Sequence, residues 1–231
     1  MYWEDEDNSG SQPRDKSVVD ISFRISCRAL PVDHAHALSA AVQKELPWLG
    51  EEPRAGVHSI HVADSGNGWM RPENPDDLVF PSRRTRMTLR VPTHRSDDAM
   101  ALVGCTLDVA GNPLEVGEAT VKQLDAVTTL FARYLVATDD DNEEEFLADI
   151  ADRLKTLGVR PRKMMCGISK TIQTPGDTIR TRSLMLADLG RDESVLLQQS
   201  GLGEHRHLGC GIFIPHKDIN QLHDREKEKS S

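Results

Sequence analysis

The chain has 231 residues, 38% of them hydrophobic and 28% charged, with 28 Lys+Arg against 37 Asp+Glu for a formal net charge of −9. That length suits one large or two small domains, and that composition supports a core and excludes wholesale disorder. No apolar run approaches the ~20 residues that cross a bilayer, the acidic start Met1-Tyr2-Trp3-Glu4-Asp5-Glu6-Asp7 is unlike a secretory signal, and the dispersed cysteines (Cys27, Cys105, Cys166, Cys210) argue against a zinc ribbon or disulfide scaffold and for a reducing cytoplasm.

Residues 1–17 are polar and acidic and read as a disordered leader. Val19, Ile21, Phe23, Ile25 and Cys27 then alternate with Asp20, Ser22, Arg24, Ser26 and Arg28, which predicts a strand with one apolar and one polar face. Pro31 ends it, and Asp33 is placed to cap a helix over 34–46 whose stripe is Leu38, Val42, Leu46 and Leu49. A short strand at 57–62, a longer one at 80–91, a helical segment near 97–103 and a strand pair within 105–123 follow; the stretch 63–79 fits no element.

The same order then returns. Residues 128–137 read as a strand, Asn142 or Asp141 caps a helix carrying Phe146, Leu147, Ile150, Leu154 and Leu157, and Gly158 stops it. A hairpin joins 161–173 to 178–188 through Pro175-Gly176-Asp177, and a helix at 192–200 and a strand at 207–214 close the unit. The expected architecture is α+β, two ferredoxin-like βαββαβ halves in tandem, the first over 18–124 and the second over 125–217, with a disordered tail at 218–231.

The net charge hides local reversals. Removing the ten acids of Glu4–Asp7, Asp139–Asp141 and Glu143–Glu145 turns −9 into +1, and Leu78–Ser96 holds five arginines and no acid. On the strand at 80–91, Arg84, Arg86 and Arg90 are expected on one face, a repulsion that a phosphate backbone relieves. Arg162, Lys163, Lys170, Arg180 and Arg182 make the hairpin a second candidate surface for RNA. The alternative is a solvated face neutralised by acids from elsewhere.

The most specific motif is Gly201-Leu202-Gly203-Glu204-His205-Arg206-His207-Leu208-Gly209-Cys210-Gly211, two Gly-apolar-Gly pairs five residues apart. Glycines allow close backbone approach and positive φ, and exposed amides in such a loop cradle phosphates. With Leu30-Pro31-Val32-Asp33-His34, the Arg83-Arg84-Thr85-Arg86 run and the tandem order over about 18–217, this loop makes the chain resemble the CRISPR-associated repeat-processing endoribonucleases of the "Cas six" family.

That resemblance implies a metal-independent nuclease that cuts CRISPR precursor RNA within repeats, leaving a 2′,3′-cyclic phosphate and a 5′-hydroxyl. It implies no cofactor and no metal site, and repeat RNA, a stem-loop, as partner, with other effector-complex subunits as further partners and no membrane. The chemistry needs one group to take the 2′-hydroxyl proton and another to protonate the 5′-oxygen, work suited to histidine. The resemblance points to the start of the first helix, where His34 is favoured and His36 stands second. Gly201, Gly203, His205, Arg206, His207, Gly209, Gly211 and Lys217 are expected to touch RNA, with Arg84, Arg86 and Arg90 on the first sheet. A non-cleaving RNA-binding subunit on the same fold is the alternative, and an acidic protein-interaction domain is the third reading.

Overall fold

The computed structural model describes residues 17–62, 74, 75, 77–137 and 142–216. β1 (Val18–Cys27) is central to the first sheet because its alternation is real on both faces: Val19, Ile21, Phe23 and Ile25 are buried beneath the helical layer. After β2 (Leu30–Pro31), α1 (Ala35–Glu45) buries Leu38 and Val42, contacts worth roughly 1.5–3 kcal/mol each. β3 (Gly56–Val57), β4 (Leu78–Val79), β5 (Arg86–Pro92), α2 (Ser96–Ala99), β6 (Thr106–Val109) and β7 (Asn112–Gln123) complete the half. The sheet order is β3-β5-β1-β7-β6, every pairing antiparallel: a ferredoxin-like order extended by the β6–β7 hairpin.

The second half repeats the plan with β8 (Leu130–Val136), α3 (Glu143–Leu157), β9 (Lys163–Thr174), β10 (Asp177–Ala187), α4 (Arg191–Ser200) and β11 (Phe213–Pro215), in the order β11-β8-β10-β9. Asn142 caps α3, its Oδ1 accepting from the Glu144 amide at 3.0 Å, and Gly158 ends it at φ 86. Two antiparallel sheets with helices laid on them make the α+β tandem ferredoxin-like architecture that the sequence pattern predicts.

Three local expectations are corrected. The strand expected over 80–91 begins only at Arg86, because Ser82–Thr85 is a turn closed by Thr85 N donating to Ser82 O at 2.9 Å and by the Thr85 hydroxyl accepting from the Ser82 amide. The strand expected over 207–214 is three residues long, since Arg206–Leu208 is one tight 3₁₀ turn. His34, not Asp33, is the N-cap residue of α1; Asp33 instead reaches across to the second half, where Oδ2 accepts from the Gln173 amide of β9 at 2.7 Å.

Candidate active site

The start of α1, the β9–β10 hairpin and the glycine-rich loop meet in a small core of their own. Ala35 packs with Ile172, Ile179, Leu208 and Cys210, all buried. Burial pushes the Cys210 thiol up to about 12, so it is an inert packing residue there. Above this floor opens a cleft of about 420 Å³ whose lining includes His36, Gln43, Thr174, Asp177, His205 and His207. Three histidines from two separate segments thus share one cleft.

His36 lies in the first turn of α1 and is half-buried on the cleft side. That turn has neither an acidic residue nor a capping side chain, so the positive end of the helix dipole meets no carboxylate within its own first turn. His34, the favoured candidate by sequence, is corrected: it is 1% exposed and lies inside the first half. Its Nδ1 lies 2.9 Å from the Pro31 carbonyl oxygen and its Nε2 accepts from the Ile60 amide at 3.0 Å. With both ring nitrogens engaged, His34 pins the entry of α1 to β2 and to the chain after β3. The physical reason is its cap position, which turns the ring inward, while His36 two residues on points outward.

The glycine-rich loop presents the other two imidazoles. His205 adopts left-handed backbone (φ 61, ψ 34), rare for a residue with a Cβ, and its carbonyl accepts from the Leu208 and Cys210 amides at 2.9 and 3.2 Å. Its ring meets that of His207 at 5.9 Å, edge-on. The His207 imidazole is held below the usual histidine range by its burial, then by His205 and His36. This favours the neutral imidazole.

Phosphate cradling by the loop amides is corrected in part. Gly201 N donates to Leu197 O, Gly209 N to Arg206 O and Gly211 N to Tyr134 O, so these amides are consumed by the fold, and the three glycines are buried. Gly209 lets the loop lie against the first half, where a Cβ would stand 3.1 Å from Val57 O and 3.2 Å from Ser59 N. Gly203, at φ 83, is exposed. Arg206 is 7% exposed and donates to the Arg54 carbonyl at 3.2 Å; burial pulls its guanidinium down to about 10. It is an interface residue, unavailable to a backbone phosphate.

Arg90 is corrected for the same reason. It is fully buried, bidentate to Asp20 at 2.7 and 2.8 Å, and donates through Nη1 to the carbonyls of Gln198 and Phe213 in the second half. Burial alone raises the Asp20 carboxyl, but Arg90, with help from His58, outweighs it and holds that group well below the usual carboxylate range. His58 completes the cluster, its Nε2 3.5 Å from Asp20 Oδ1, and burial lowers its pKa. The Asp20 end of the polar face of β1 is thus part of the seam between the halves.

Of the other expected cations, Arg84 sits exposed on the turn, and Arg86 is half-buried with Nη1 donating to the Arg83 and Thr85 carbonyls, both at 2.9 Å. Arg162, Lys163, Lys170 and Arg180 are exposed along the hairpin, Lys163 lying 3.1 Å from Asp188 and Lys170 5.9 Å over the Tyr134 ring. Arg182 turns to the helix side, 3.4 Å from Cys166 Sγ and 6.0 Å over the Phe146 ring. Lys217 lies outside the described residues. None of these cations lines the histidine cleft.

Comparison with known proteins converges on one family. The family profile described as Cas6 Crispr matches residues 19–218. The CRISPR-associated endonuclease Cas6 of Myxococcus xanthus (strain DK1622) is 30% identical over 197 residues, covering 85% of this chain and 81% of its own. Among solved structures, a CRISPR associated protein Cas6 superposes with a TM-score of 0.59 at 13% identity, covering 87% of this chain and 100% of its own. A RAMP protein described as binding different RNA substrates superposes with a TM-score of 0.58 at 12% identity, covering 86% and 100%. At such identities the two structures speak for the fold alone.

Proposed function

The chain belongs to the Cas6 family of CRISPR-associated proteins, and on that premise we propose that it is an endoribonuclease that processes CRISPR repeat RNA, cutting without a metal to leave a 2′,3′-cyclic phosphate and a 5′-hydroxyl. The observation that carries the chemistry is the cleft in which His36, His205 and His207 converge beside the uncapped start of α1. Attack of a 2′-oxygen on the adjacent phosphorus needs a base, an acid for the 5′-oxygen and positive charge around the phosphorane. Histidine side chains suit the proton transfers, and an imidazolium adds positive charge at the phosphorane. His36 is the residue we assign to catalysis at α1; His34 supports it from within.

The exposed cations Arg84, Arg162, Lys170 and Arg180 supply the phosphate contacts of the bound repeat. Few aromatics, 4% of the chain, favour recognition of a folded stem-loop by shape over base stacking.

The test is to incubate purified protein with a repeat stem-loop in EDTA and to map the product termini. We expect cleavage, a cyclic phosphate on the 5′ fragment, and a loss of about 10²–10⁴-fold in rate for His36→Ala at unchanged RNA affinity. Tight binding with intact RNA replaces this reading by the non-cleaving subunit.

A further inference from the structure

We propose that His207 is a catalytic residue, the base that takes the 2′-hydroxyl proton across the cleft from His36. The assignment rests on the nuclease reading above and gives the glycine-rich loop a chemical task beyond holding RNA.

The geometry supports it on three counts. His207 and His36 line the same cleft from different halves of the molecule, so a phosphate bound there meets an imidazole from each half. His207 is half-buried on a 3₁₀ turn fixed by Leu208 N to His205 O and Gly209 N to Arg206 O, both 2.9 Å, which fixes the backbone that carries its ring, and the ring packs edge-on against that of His205. The preceding His205 is forced into left-handed backbone, strain of the kind that collects at working sites and is sustained here by the buried glycines on either side.

The titratable groups that share the cleft with His207 are His36 from α1, His205 from its own loop and Asp177 at the start of β10. Burial and the two neighbouring imidazoles favour the unprotonated form of His207, the form a base requires. His36 then serves as the acid. In the step, the 2′-oxygen gives its proton to His207 and bonds to phosphorus, the bond from phosphorus to the 5′-oxygen breaks, and that oxygen takes a proton from the His36 imidazolium. No water or oxidant is consumed; two protons move, one from the 2′-hydroxyl to His207 and one from His36 to the 5′-oxygen, and exchange with solvent restores both imidazoles.

The experiment compares single-turnover cleavage of two repeat RNAs by the full chain, one normal and one with sulfur replacing the 5′-oxygen at the cut. Sulfur leaves without protonation, so it spares a missing acid but not a missing base. We expect His207→Ala to lose at least about 100-fold on both RNAs at an affinity within about threefold of wild type, and His36→Ala to regain most of its loss on the sulfur RNA. The ascending limb of the wild-type pH–rate profile, set by His207, should be absent in His207→Ala. Should the alanine variant misfold by circular dichroism, His207→Gln, closer in volume, carries the same expectation. Wild-type cleavage with either His207 variant unimpaired overturns the assignment, as does sulfur rescue of His207→Ala in place of His36→Ala. If wild type leaves both RNAs intact, the nuclease reading falls and this assignment with it.

Discussion

At the scale of single residues, two histidines separated by one alanine have opposite jobs. The ring of His34 is sealed between Pro31 O and Ile60 N, whereas that of His36 faces the cleft. His34→Ala should therefore lower the melting temperature by several degrees, as two buried hydrogen bonds are lost at about 1–3 kcal/mol for each partner left unsatisfied. His36→Ala should leave it unchanged within a degree while slowing cleavage by the factor given above; thermal melts of the two variants check the contrast. Asp20 yields a second prediction. Its pKa is depressed in the folded state, so the stability it contributes is complete above the unfolded value near ~4 and drains away as pH falls toward the folded value. Urea unfolding of wild type below pH 4 should show that loss, and Asp20→Asn should show a flatter slope there. At pH 7 the same variant should be less stable by roughly 3–5 kcal/mol, because Arg90 is left buried without its counter-charge.

At the scale of elements, the loop from Gly201 to Gly211 depends on backbone that only glycine allows. A Cβ on Gly211, at φ 66, would collide with the Leu202 carbonyl oxygen. Gly211→Ala should thus cost about 1–3 kcal/mol from strain at positive φ alone, and it should detach the loop that carries His205 and His207. Cleavage should fall further than RNA binding, as a side-by-side gel-shift and cleavage assay would show. Much of this level was legible beforehand. Periodicity sufficed for β1, α1 and α3, which carry apolar stripes and, in α3, a recognisable stop at Gly158, while the β9–β10 hairpin was marked by its Pro175-Gly176-Asp177 turn. It failed where a polar face looked outward and was not. Arg90 alternates with Met87, Leu89 and Val91 as a solvated residue would, and only the second half, laid over that end of β5, makes it internal. His34 was misjudged for a related reason: a helical wheel describes residues inside a helix, and a cap residue has its own direction. The grouping of His36 with His205 and His207 has no sequence signal short of the fold, as about 170 residues separate the segments.

At the scale of the whole molecule, the question is how a chain of net charge −9 holds a polyanion. Local charge decides it, and salt dependence reads that charge out. Each phosphate neutralised contributes about −0.7 to −0.9 to the slope of log affinity against log salt. Arg84 and Arg162 stand exposed on two different halves, so neutralising either to alanine should make the slope shallower by somewhat under one. Lys163 already has Asp188 at 3.1 Å, so its loss should change the slope by less. Arg182, turned onto the Phe146 ring beneath the helical layer, should change it not at all. Fluorescence anisotropy of a labelled repeat RNA across 50–300 mM salt, at about equal spacing in log concentration, separates the three cases. A shallower slope for Arg182→Ala with none for Arg84→Ala and Arg162→Ala would move the RNA to the helical side of the second half, away from the histidine cleft, and the surface drawn for it would have to be abandoned.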